Sequence, residues 1–580
     1  MVWGRVASAL MMRCTSCKRG QIKASHDPLG LHPQFLCWCH DNYLSDDLGC
    51  FVKARVALSQ LLPTVGGADE RQEWGEILTA KDSKIIVQNE TSGSNSVVWP
   101  VINGRFKILV KLKTGENRIK LQHKNFSHYL HLVYEPLKYE RFVRLVYIKC
   151  KDDDGTFQAP QNEDNSVKSA CKRLSLAGQM LQTFTSDKLK EHNLNGKTFR
   201  LEEENGEVIC HVFTSSLSLA EAYKLNEEQL WSHFAIELMN SKLRVGNKCK
   251  FLAFLSFTRY DNNSNAPPLN HKEVLAMTKG QVALGGGGLA LFGSGCLHTW
   301  PESLQEIPWR FGDKRKIDRM NLMDDSANRG WYWACYSTGL GATLHELGHT
   351  FDLGHTNGGI MGRGFDDIHK YFIIDMFYHD HLFQKDHNPH YQQSSIHNHT
   401  VPLCLTSPIS WKSTSDNQLL ETDEKNVAFD SVHNNNIKNE ISNNERPWRI
   451  PNPPDRTSDE KLAVHVGGAY WTRSSALILC FHKWFNNDAD SQSKGVIAMK
   501  GATLSSPNGI RVVEFRDSEG TSIGHLEYLA GDGAELVDFT QSDVLRDLSN
   551  DIKEVSFIAE DSIGNIVKSK LDLEKLFLRS

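Results

Sequence analysis

No run of about 18 or more consecutive apolar residues occurs along the 580-residue chain, which excludes a helix that spans a bilayer. Charge of one sign is lacking too, since 65 Lys and Arg against 70 Asp and Glu leave a net charge of −5. An attractive field for nucleic acid or for an anionic membrane surface needs a strong basic excess, so neither is an expected partner. The amino-terminal stretch is a poor match to a secretory leader, because its weakly apolar run is cut by Arg13, and none is expected. The 13 cysteines are odd in number and scattered, which is not the pattern of a disulfide framework. Reduced thiols and an intracellular setting, cytoplasmic or nuclear, are the expectation. Four consecutive glycines, 285–288, are not followed by Gly-Lys-Ser/Thr, so a phosphate-cradling loop is not indicated.

What is present is an ordinary globular composition, 40% hydrophobic and 23% charged, in a chain long enough for two to four domains. Residues 1–75 are irregular in pattern, and their Cys14, Cys17, Cys37, Cys39 and His40 lack the framing of a zinc knuckle. Short alternating runs between Lys84 and Tyr134, separated by turn residues, predict a β-sandwich over 80–140. From Arg141 the texture changes to strands with few charges alternating with amphipathic helices. That alternation predicts an α/β layer domain over 141–486. Within it, Asn, Ser, Asp, His and Pro dominate 384–460, which reads as a disordered insertion with solvated histidines. Short strands return over 493–580 as a C-terminal β-sandwich. The expected fold class is therefore multidomain α/β plus β, an α/β domain flanked by two β-sandwiches.

The chemistry concentrates in TLHELGHTFDLGHTNGGIMGR, residues 343–363. His345 and His349 are i and i+4 on a predicted helix over 337–351, with Ser337 or Thr338 as its cap, so both imidazoles leave the same face. That spacing suits two ligands of one zinc ion. Glu346 lies beside the first ligand, where a general base belongs in the H-E-x-x-H pattern of zinc hydrolysis. A third ligand is needed, and His355 can supply it if the helix ends near Phe351. If the helix continues instead, Asp352 takes that place. The glycine-rich run upstream predicts an edge strand open to an extended peptide, with Gly286, Gly287, Leu289 and Ala290 as its substrate-facing residues.

These residues resemble the metzincin clan of zinc metallopeptidases, whose H-E-x-x-H-x-x-G-x-x-H motif is met by HELGHTFDLGH except that Asp352 replaces the glycine. The clan's Met-turn then falls on Met361, with Met376 as the alternative. More closely, GGGGLALFGSGCLHTWP, STGLGATLHELGHTFDLGHT and GIMGRGFDDI are similar to a family of zinc metallopeptidases of fungi and animals, some with a C-terminal jacalin-like domain. The resemblance implies a metzincin-like protease domain and a zinc-dependent endopeptidase with one catalytic Zn2+. Its ligands would be His345, His349 and His355, its base Glu346, and its substrate a protein or peptide. The alternative is a non-catalytic scaffold whose zinc is closed by a fourth protein ligand, His369 or Asp366.

Overall fold

The structure, a computed structural model, describes residues 51–57, 82–102, 105–374, 468–486, 494–549 and 552–577, all within the unit Ser45–Ser580. The amino-terminal cysteines, the 384–460 insertion and Met376 lie outside the described residues.

Strands β1 (Phe51–Ala57), β2 (Asp82–Asn89), β3 (Val97–Ile102), β4 (Arg105–Lys111), β5 (Gly115–His123) and β6 (Phe126–Tyr134) form one antiparallel sheet. Its order is β1-β4-β3-β2-β5-β6. Alternation along β3 and β5 buries Val97, Trp99 and Val101, and Ile119 and Leu121, on one face. Among the described residues no second sheet covers that face, as the predicted sandwich requires. Instead it shares a continuous core with Leu174, Leu181 and Phe184 of the following domain, which takes over the role of the missing layer. β1 is the other departure. The stretch expected to be irregular pairs with β4 from Phe51↔Lys111 to Ala57↔Arg105.

The α/β domain is built on β7 (Phe142–Lys149), β8 (Cys210–Thr214), β9 (Cys249–Leu255), β10 (Ala283–Gly286) and β11 (Leu289–Gly293). They lie in the order β8-β7-β9-β11-β10; the first four in that order run parallel and β10 is antiparallel at the edge. Successive residues of β7 and β9 are buried on both faces, as the low charge of these runs predicts. One face carries Leu145, Tyr147, Leu252 and Phe254 into the core with α1 (Val167–Lys190) and α3 (Tyr332–Thr350). The other carries Val146, Ile148, Phe251 and Ala253 against α2 (Glu227–Met239). Asn226 caps α2 with a reciprocal Gln229 capping box, and Glu227 and Glu228 fill its first turn. An Asn-Gly turn joins the short strands Glu203–Glu204 and Glu207–Val208, with φ of 54° at Asn205 and 78° at Gly206.

After the undescribed insertion, α4 (Arg473–Phe481) returns Ala476, Leu477, Ile478 and Leu479 to the same core. β12 (Ala498–Lys500), β13 (Thr503–Arg516), β14 (Ser522–Glu527), β15 (Ala534–Asp538), β16 (Glu554–Asp561) and β17 (Ile566–Asp572) complete the described chain. They make one six-stranded sheet rather than two stacked ones, because the 14-residue β13 pairs with β12, β14, β15 and β16 along its length. No described helix is long and apolar enough to cross a membrane.

Candidate metal centre

α3 starts at Tyr332, earlier than a Ser337 or Thr338 cap predicts, and no side chain caps it. Both hydroxyls are inside the helix and reach across to the next segment. Ser337 Oγ donates to the Asp366 carbonyl at 2.7 Å, and Thr338 Oγ1 donates to Asp366 Oδ1 at 3.0 Å. Tertiary partners thus claim the residues that sequence offers as caps. The helix ends at Thr350, and Asp352 at φ +65° turns the chain back.

That turn brings the three histidines together. His349 Nε2 lies 3.1 Å from His345 Nε2 and 3.2 Å from His355 Nε2. Two nitrogens of a tetrahedral zinc site are roughly 3.3 Å apart, so the spacing fits one ion. All three ligand atoms lie within 4.8 Å of one another, and among the described residues no fourth His, Cys, Asp or Glu joins them. His345 Nδ1 donates to the Ile360 carbonyl at 2.8 Å and His349 Nδ1 to the Leu353 carbonyl at 2.9 Å. A carbonyl can only accept, so each Nδ1 carries the proton and each Nε2 presents its lone pair inward. Burial, reinforced by the other imidazoles, pushes His345 down to about 3 and His349 well below the usual imidazole range. Burial and Arg516 lower His355 as well. Neutral imidazoles are the form that ligates, and three of them suit zinc.

The residues considered as other ligands are engaged elsewhere. Asp352 points away from the imidazoles: its Oδ2 accepts from His482 Nε2 at 3.2 Å and its Oδ1 pairs with Lys568. His369 Nδ1 is bonded to Ser337 Oγ at 2.9 Å. Asp366 is held by Thr338 and by Arg363 at 2.9 Å.

Glu346 follows the first of the three histidines on α3. Burial and the nearby Glu227 raise its carboxyl well above the ordinary range, against a hydrogen bond from the Gly285 N–H. Gly285 belongs to β10, and a Cβ there would sit 1.9 Å from the Glu346 carbonyl oxygen. The glycine run therefore admits the protein's own helix backbone. The edge strand predicted from sequence shifts accordingly. Gly286 ends β10 and Gly287 turns the hairpin at φ +52°, but Leu289 and Ala290 lie on β11, buried and paired on both sides. The sheet edge is Ala283–Gly286, with the Ala283 N–H already donating to Glu227 at 2.8 Å.

Met361 closes the turn after His355, its carbonyl accepting from the Thr356 N–H at 3.0 Å. Its side chain is buried under α3, where a Cβ on Gly348 would come within 2.6 Å of its sulfur. That contact places it against α3 at Gly348, the residue before His349. Sequence reasoning missed Glu227, Gly285, His482 and Arg516 as neighbours of the site. Each comes from a distant segment and carries no local spacing signal.

Among solved structures, the chain resembles OgpA from Akkermansia muciniphila at 13% identity and a TM-score of 0.37, over 75% of this chain and 94% of that one. A catalytically inactive OgpA in complex with an O-glycopeptide is similar at 12% identity and a TM-score of 0.36, over 75% and 93%. A protein of Schizosaccharomyces pombe named "Putative zinc metalloproteinase" is 27% identical over 313 residues, 50% of this chain and 49% of its own. One of the same description from Saccharomyces cerevisiae is 26% identical over 313 residues, 49% and 44%. The chain thus spans about half the length of the curated relatives it matches. Residues 72–445, which hold the whole α/β sheet and the histidine helix, match the family described as "Putative peptidase family", and the chain belongs to that family.

Proposed function

We propose that this protein is a zinc-dependent endopeptidase of metzincin type that hydrolyses peptide bonds in a protein or peptide substrate. One Zn2+ would be held by His345, His349 and His355. The observation that carries this reading is the convergence of three Nε2 atoms, two of them with their Nδ1 protons fixed on carbonyls. A bound zinc supplies Lewis acidity and lowers the pKa of a water toward neutrality.

The chain's own groups do the rest. Glu346, adjacent to the ligands but outside the set, accepts a proton at its carboxylate and passes it on to the leaving amine. The Gly285 N–H orients that carboxylate. An extended peptide would lie along the edge formed by Ala283–Gly286, next to Glu346. Three protein ligands leave a coordination position open, whereas a purely structural zinc would be closed by a fourth. His369 and Asp366, the residues that could have closed it, are bonded elsewhere. An intracellular setting belongs to the same reading, in keeping with seven free cysteines among the described residues.

Glu346→Gln tests it. Zinc content should be unchanged while cleavage of a peptide library falls by roughly 10²–10⁴-fold, the usual weight of a general base. Undiminished cleavage by the variant would remove Glu346 from the mechanism.

A further inference from the structure

The loop that carries the third imidazole is gripped from outside the α/β domain, by the sheet at the carboxyl end. Arg516, the last residue of β13, donates through Nη2 to the Asp352 carbonyl at 2.6 Å. Its Nε is bonded to Glu514 at 2.8 Å, and Glu514 is buried, so the guanidinium is held at a set angle. The turn between β13 and β14 reaches the ligand itself. His355 forms a parallel bridge with Thr521, and its carbonyl accepts from the Ser522 N–H at 2.8 Å. That turn is stiffened by Asp517, whose Oδ1 accepts from the N–H groups of Glu519 and Thr521, both at 2.9 Å. From the loop side the approach is equally close. A Cβ on Gly354 would sit 2.6 Å from Arg516 Nε and 2.7 Å from the Gly520 carbonyl oxygen.

We propose that the C-terminal sheet is part of the metal site's support, with Arg516 and the 517–521 turn acting as positioning residues that fix the 352–355 loop and aim His355 at the other two imidazoles. These residues lie beyond the stretch 72–445 that matches the family, so the support is a property of this chain's further sequence. The proposal rests on the zinc reading in one respect, that the three imidazoles share a cation. A site with only two fixed histidines and a free third loop would bind metal loosely. Outer partners of metal ligands commonly change metal affinity by roughly 10–100-fold.

The test is zinc affinity of the full chain, measured by competition with a chelator, together with the visible absorption of the Co2+-substituted protein, which reports ligand number and geometry. Arg516→Ala should weaken zinc roughly tenfold or more and move the Co2+ spectrum toward that of His355→Ala. Arg516→Lys, which can still donate to the Asp352 carbonyl, should recover part of the loss. Arg516→Ala added to His355→Ala should change affinity no further, because both act through one ligand. Arg511→Ala, on the same strand as Arg516, serves as the control: it removes bonds to Ser562 and Gly531 without touching the loop, and should leave zinc affinity in place. If Arg516→Ala does not fold, Gly354→Ala decides the matter, since it pushes the loop off the sheet while leaving the sheet's own bonds intact.

Unchanged zinc affinity in Arg516→Ala, equal losses in Arg511→Ala, or an additive loss in the double variant would overturn the positioning role. A wild-type chain that binds no zinc would overturn both this proposal and the peptidase reading. One that binds zinc through three histidines but cleaves no peptide would remove the peptidase reading alone.

Discussion

At φ +65°, Asp352 sits in the left-handed region where glycine is at ease and most side chains are strained. Replacing it with glycine would relieve about 1 kcal/mol of backbone strain. The side chain opposes that gain. His482 is completely buried, and its Nδ1 accepts from the Trp484 N–H, so its proton is on Nε2 and points at Asp352. Without the carboxylate that donor is left unpaired in the interior, at a cost of about 1–3 kcal/mol, and a charge-assisted bond worth about 1.5–3 kcal/mol is lost. Asp352→Gly should therefore destabilise the protein by about 2 kcal/mol in urea unfolding, while Asp352→Asn, which keeps an acceptor and tolerates the same φ, should lose less. A glycine variant at least as stable as the wild type would show that backbone strain outweighs the buried bond. The proximity of His345, His349 and His355 was legible from spacing alone, because a helix and the turn after it are local structure. The role of Asp352 was not. Its partners His482 and Lys568 are 130 and 216 residues away, and sequence showed only an aspartate where the clan has glycine.

At the level of strands and helices, β10 and α3 are in backbone contact at one point, and Gly285 is what permits it. A methyl group there would meet the carbonyl oxygen, carbonyl carbon and Cα of Glu346 at 1.9, 2.6 and 2.7 Å, and a helix backbone cannot yield cheaply. Gly285→Ala should cost about 1–3 kcal/mol or more of stability. By displacing Glu346 it should also lower turnover by roughly 10²-fold, the usual penalty for an ångström of misplacement. Gly287→Ala is the comparison: its φ of +52° strains an alanine, but a Cβ there meets nothing within 4 Å, so activity should be retained. Equal kinetic losses in the two variants would refute the contact's importance. A second element-level prediction concerns α2. Burial alone would raise Glu237, but His233 at 3.3 Å and hydrogen bonds from Ser215 and Ser216 hold its carboxyl down at about 2. A carboxylate depressed in the folded state stabilises above its unfolded pKa, near 4.5, and loses that contribution as pH falls toward 2. It is worth roughly 3 kcal/mol at neutral pH. Glu237→Gln should be less stable than wild type at pH 7, and the gap should close between about pH 4.5 and 2 in urea titrations. The strands and helices themselves were largely legible, since apolar runs such as β7 and the Asn226 cap are local signals. Which sheet faces which helix was not: the sandwich expectation failed because the partner layer for the first sheet comes from α1, beyond the strands that set the pattern.

For the molecule as a whole, the metal is expected to act as a staple. His345 and His349 lie on α3, His355 lies on the loop bridged to the C-terminal sheet, and α3 packs on β10 and β11 of the central sheet. An ion that binds the folded chain and not the unfolded one adds stability in proportion to the logarithm of its saturation, about 4 kcal/mol when free zinc exceeds the dissociation constant a thousandfold. Stripping zinc with a chelator should therefore lower the unfolding midpoint by several degrees, and adding zinc back should restore it. Magnesium should not substitute, because it demands oxygen ligands and octahedral geometry that three imidazoles do not offer. The comparison of variants separates stability from catalysis. Glu346→Gln should keep the full zinc-dependent shift, because its carboxylate is not a ligand. His355→Ala should lose most of it, and with it the coupling between the metal and the C-terminal sheet. Hydrogen exchange should report that coupling directly: zinc should slow exchange at the Ser522 N–H in the wild type and leave it unchanged in His355→Ala. Zinc-independent exchange there in the wild type would mean that the sheet and the metal site are stabilised separately.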